Sequence, residues 1–109
     1  MPKFLILYAS EKSAEEQMSA SPEDMKKGME PWLDWYKSQG SAIVDQGNPL
    51  GKPFALNKKG LTKAHTHLIT GYSIVEAKDI DAVKVMVMVH PHLNQPKSSI
   101  EILEIMPMM

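Results

Sequence analysis

The residues able to move a proton near neutral pH in this 109-residue chain are four histidines in two pairs, His65-x-His67 and His90-x-His92. Side chains two apart in a strand point to the same side, so His65 and His67 could ligate one metal ion together. A catalytic zinc needs three protein ligands, and two histidines in a solvated turn beside Lys63 need no metal at all; no metal and no organic cofactor is expected. His90 follows an apolar helical face and precedes Pro91. There it could carry protons, or it could be a cation capping a helix C-terminus, with no chemistry. Asp45 ends an apolar strand and leads into Gln46-Gly47. It could face a pocket, or cap the following turn through its own backbone. No cysteine is present and no serine sits in a recognised elbow. Any catalysis is therefore expected to be acid–base work with His90 as proton carrier and Asp45 as its orienting acid, an arrangement typically contributing about 10²–10⁴-fold.

The aromatic residues supply the binding candidates. Trp32 and Tyr36 fall on the apolar stripe of a helix and read as core, whereas Trp35 lies off its centre and reads as a pocket or dimer residue. Tyr8 and Tyr72 sit on strands apolar on both faces, where a phenol needs a polar partner. Phosphate loops, GxSxG, dinucleotide fingerprints and HExxH are all absent. Lys52, Lys58, Lys59 and Lys63 form a basic stretch without interleaved aromatics, which suits a solvated loop better than a nucleic-acid site.

These residues must be positioned by a short series of elements. Lys3 to Ala9 reads as a central strand, apolar on both faces. Ser21-Pro22-Glu23-Asp24 is a helix start, and Gly40 ends the helix Pro22 to Gln39. Met25, Met29, Trp32, Leu33 and Tyr36 form its predicted buried stripe, and Pro31 predicts a kink or break. Ala42 to Asp45 is a short strand, Phe54 to Leu56 another, and Asn57 to Lys63 a mobile hairpin tip. Leu68 to Ala77 is a second central strand. Ile80 to Val89 is read as a helix capped by Asp79 and stopped at Pro91, although its valines also alternate like a strand. Ile100 to Met106 closes the chain, and its apolar phase slips at Ile102–Leu103, as at a bulge or a strand buried on both faces.

The order strand, helix, strand, strand, helix, strand predicts one α+β domain over residues 1–109, a ferredoxin-like βαββαβ sandwich with both helices on one sheet face. The other face is apolar and predicts a homodimer. The net charge of −1 gives little support for nucleic acid or acidic membrane as a partner. The short N-terminal apolar run lacks the features of a signal peptide, and no segment approaches the roughly 20 apolar residues of a membrane span. A cytoplasmic location is expected. Nine methionines suggest an adaptable core.

The stretches Lys3-Phe-Leu-Ile-Leu-Tyr8, Pro22-Glu-Asp-Met25, Trp32-Leu-Asp-Trp35 and Gly47-Asn-Pro-Leu50 occur in that order. Gly71-Tyr-Ser-Ile-Val-Glu-Ala77, His90-Pro91 and Ile100-Glu-Ile102 follow. In this order, over nearly the whole chain, the sequence resembles the YCII-related family and its DGPF-type branch. The resemblance implies a ferredoxin-like fold paired into a dimeric α+β barrel, and no established reaction. Some members have been suggested to be enzymes using a His–Asp pair with the histidine on the first helix; this chain has no histidine between Pro22 and Gln39. Related domains are sometimes encoded beside or fused to sigma factors, which implies a regulatory context. Two functions therefore fit. One is binding of a small organic molecule in a pocket of the dimeric barrel, with or without acid–base catalysis at His90 and Asp45. The other is a non-catalytic interaction module serving, for example, a transcription regulator.

Overall fold

The computed structural model describes residues 1–12, 20–62 and 68–108. Its strands are β1 (Lys3–Ser10), β2 (Ile43–Asp45), β3 (Ala55–Asn57), β4 (Gly60–Thr62), β5 (Leu68–Glu76) and β6 (Ser99–Ile105); its helices are α1 (Pro22–Gln39) and α2 (Ile80–Met88). Single helical turns span Gly40–Ala42 and Pro91–Asn94. The fold is α+β. Four strands form an antiparallel sheet in the order β2-β5-β1-β6, compatible with a ferredoxin-like arrangement, and β3 and β4 pair only with each other.

Alternation along β1 divides the sheet into two faces. Phe4, Ile6 and Tyr8 point to the helices and are buried with Val75, Ala77, Trp35, Val83 and Val87. Each such large side chain contributes about 1.5–3 kcal/mol by leaving water. Leu5 and Leu7 point the other way. The register places them beside Ile74, Tyr72 and Leu103 on a face that carries no helix. Leu103 and Ile105 there are 48% and 43% exposed.

The helices start as their sequences dictate. The Ser21 hydroxyl accepts from the Asp24 N–H at 3.2 Å, with Pro22 at the first helical position. Asp79 accepts from the Ala82 N–H at 2.9 Å. Helix α1 runs unbroken through Pro31, whose missing N–H leaves the Lys27 carbonyl without its usual partner. The stripe read from α1 needs correction. Trp35 is buried, Trp32 and Tyr36 are half-buried, and Met29 and Leu33 are exposed. Trp35, expected off the core, is its anchor, because its indole N–H also reaches across to α2, donating to the Met86 carbonyl at 2.9 Å.

Of the two readings of the slip in β6, the bulge is not there. Its pairing with β1 runs unbroken from Lys3↔Ile105 to Ala9↔Ser99. The apolar slip at Ile102–Leu103 instead reflects one residue turned to each sheet face. The bulges lie elsewhere. Thr70 is the extra residue opposite Tyr8/Ala9, and its hydroxyl donates to the Tyr8 carbonyl at 3.1 Å, filling the place of a ladder bond. Val44 is the extra residue in β2. Beyond β2 the chain passes very close to β5. At Gly47, φ is +79° and a Cβ would sit 1.6 Å from the Tyr72 carbonyl oxygen, so only glycine fits. Among the described residues, no helix is long and apolar enough to cross a membrane.

Candidate functional site

The candidate site is a buried corner where the end of β1 meets the segment leaving α2. Helix α2 stops because the His90 N–H bonds the Val87 carbonyl at 3.0 Å. That bond frees the Met86 carbonyl for Trp35. Pro91 holds His90 in extended backbone, φ −71° and ψ 134°, and begins the next helical turn. His90 is therefore not a cation at the end of α2. Its Nδ1 accepts from the His92 N–H at 3.0 Å, as an N-cap acceptor does.

This bond fixes the tautomer. An Nδ1 that accepts carries no proton, so the proton of the neutral ring is on Nε2. That Nε2 is buried and has no hydrogen-bond partner. Burial, and then the neighbouring His92, lower the His90 pKa to about 3. The imidazole is neutral at every physiological pH. It is a poor proton carrier there and a well-defined hydrogen-bond donor.

His92 is held as firmly. Its Nε2 faces the Ala9 carbonyl at 2.8 Å and the Ser99 carbonyl at 3.1 Å, two acceptors that require an N–H between them. It thus ties β1 to β6 where their pairing ends. The Ser98 hydroxyl closes the same turn by donating to the His92 and Gln95 carbonyls.

Aromatic rings enclose His90. The ring centroids of Trp32 and Trp35 each lie 4.4 Å from it, and that of Tyr8 lies 4.8 Å away. Trp32 stands edge-on to His90 at 88°. Of the five rings Tyr8, Trp32, Trp35, His90 and His92, only Trp32 keeps substantial contact with solvent.

A polar chain runs from Tyr8 to the β2 edge. The Ser73 hydroxyl donates to the Gln46 carbonyl at 2.8 Å, and Tyr36 donates to the same carbonyl at 3.0 Å. With the serine proton used, Tyr8 is the donor in its 2.8 Å bond to Ser73. Burial pushes the Tyr8 phenol well above its ordinary range.

The residues read as functional are therefore divided. Tyr8, Trp35 and His90 meet at the corner. Tyr72 pairs with Leu7 and belongs to the opposite sheet face. Asp45 is exposed at the β2 edge, where its carboxylate accepts from the Gly47 N–H at 2.8 Å, the turn-capping role. Among the described residues, no hydrogen bond or ion pair joins Asp45 to His90. His65 and His67 lie outside the described residues, and among those described no group of three or more His, Cys, Asp or Glu could hold a metal ion. Reading the sequence named His92 only as one of a pair and gave it no role, and it missed Ser73 and Thr70. Only His92 carried a signal, since His-Pro-His puts the first histidine in extended backbone, ready to cap the turn that contains the second.

No known family model matches the chain, and no curated protein matches it.

Proposed function

We propose that this chain is a YCII-related protein of the DGPF-type branch, a cytoplasmic homodimer in the form of an α+β barrel. In this reading each subunit binds a small organic molecule bearing a carbonyl or carboxylate at the histidine–aromatic corner. One observation carries the reading, the unpaired Nε2–H of His90. A buried donor without a partner costs about 1–3 kcal/mol, and such groups are rare enough to require a reason. A ligand that brings an acceptor removes the cost. Apolar walls with a single fixed polar group are what small-molecule sites use for affinity and orientation. Trp32, the ring in contact with solvent, is the side from which a ligand enters. The neutral imidazole would polarise a carbonyl by donating a hydrogen bond, a known use of a histidine with a lowered pKa. Catalysis in this reading needs no proton cycling between His90 and Asp45.

The homodimer reading draws on the helix-free sheet face with Leu5, Leu7, Ile74 and Leu103, an apolar extent that soluble monomers rarely leave wet. Pairing two such faces about a two-fold axis gives a closed barrel. The small net charge argues against nucleic acid as a partner. A second reading, an interaction module serving a transcription regulator, draws on the exposed Phe54 and Leu56.

A thermal-shift screen of small carbonyl and carboxylate compounds tests the site, repeated on His90→Asn, which keeps a cap acceptor but removes the ring donor. At least one compound is expected to raise the Tm of the wild type and to lose most of that shift in the variant. No stabilising compound among several hundred, or equal shifts in both proteins, would favour the interaction module.

A further inference from the structure

We propose that the β3–β4 hairpin is a dimerisation arm that lies on the open sheet face of a second copy of this chain, along its β6 edge; this rests on the homodimer reading above. A two-stranded hairpin without further support is marginal in water, and this one is a sheet of its own. Its turn is nevertheless fixed. The Asn57 side chain accepts from the Lys59 N–H at 2.8 Å, Asn57 pairs with Gly60, and Gly60 takes φ +121°. Leu56 in β3 and Phe54 just before it are 76% and 72% exposed. A single exposed leucine is ordinary, but two large apolar side chains so exposed at an unsupported hairpin call for a cover.

Charge indicates which cover. From Gln46 to Val75 the chain has four lysines and no acid. Among the described residues, Lys52, Lys58 and Lys59 form no ion pair, and neither does Glu101 of β6. On its open face strand β6 thus offers the exposed Glu101, opposite Leu7, beside the partly exposed Leu103 and Ile105. Symmetry makes the contact reachable. A two-fold axis between two facing sheets and parallel to their strands sets the β2 edge of one over the β6 edge of the other. The hairpin follows β2 in the chain, and the segment between them is held to β5 by the Pro49–Gly71 bridge. The same contact is made twice, once by each arm.

Sedimentation equilibrium on the full chain tests the arm. Phe54→Ser with Leu56→Ser is expected to weaken dimerisation by about tenfold or more, as loss of buried apolar anchors does. Lys58→Glu with Lys59→Glu is expected to weaken it too, and adding Glu101→Lys is expected to recover part of the loss. A wild-type monomer at micromolar concentration would overturn the homodimer and the arm together. A wild-type dimer whose hairpin variants associate as tightly would overturn the arm alone and leave the hairpin for another partner.

Discussion

The histidine–aromatic corner and the β3–β4 hairpin stand at opposite extremes of the same chain. At the corner, four of the five rings are buried, and among the described residues one buried side-chain polar atom lacks a hydrogen-bond partner, the Nε2 of His90. On the hairpin, the backbone is paired and the turn is capped, yet Phe54 and Leu56 stand in solvent. One region is short of a single hydrogen-bond acceptor, the other of an apolar cover. The difference is one of partner type. A missing acceptor is supplied by a small polar group, and a missing apolar cover by a macromolecular surface.

Substitutions separate the two regions by size of effect. Trp35→Ala removes a buried ring and the bond to the Met86 carbonyl. It is expected to cost about 3–5 kcal/mol in denaturant unfolding. His92→Leu keeps the volume but strands the Ala9 and Ser99 carbonyls. A loss of about 2–3 kcal/mol is expected, with earlier hydrogen exchange at the ends of β1 and β6. The smallest effect belongs to the other region. Phe54→Ser, measured by unfolding under dilute, monomeric conditions, is expected to stay within about 0.5 kcal/mol of the wild type. A large loss there would mean the hairpin is part of the subunit core, and the contrast between the regions would fail.

The pH dependence sharpens the corner between the second and third of these effects. An unfolded histidine binds a proton below about pH 6.5, whereas folded His90 does so only near pH 3. Between those values the unfolded chain holds more protons, so stability rises with pH. The contribution is complete above about pH 7 and declines as the pH falls toward 3. About 2 kcal/mol is expected to be lost from pH 7 to pH 5 on this account, and His90→Asn should flatten that part of the profile in thermal unfolding.

Much of the frame was legible because local rules and burial agreed. The alternation in Lys3-Phe-Leu-Ile-Leu-Tyr-Ala9, the Ser21-Pro22 start and the Asp79 cap all appear as read. The site was legible only in its ingredients. Tyr8, Trp35 and His90 were picked out singly, but nothing in their spacing brings β1, α1 and the segment after α2 together; only packing does. Trp35 was misplaced because the helical stripe was extended to Met29 and Leu33, which the sheet does not cover. Asp45 was ambiguous for a local reason, since an acid two residues before a glycine caps a turn as readily as it faces a pocket. The role of His90 turned on its bond to the His92 N–H, for which His-Pro-His was the one local signal.

The central claim is that His90 is a neutral donor with its proton on Nε2. Imidazole ¹⁵N–¹H correlation spectra, followed from about pH 8 to about pH 4, test it most directly. The account predicts a bare Nδ1, a protonated Nε2 and no titration across that range. A midpoint near the ordinary histidine value of about 6.5, or a proton on Nδ1 at neutral pH, would contradict it.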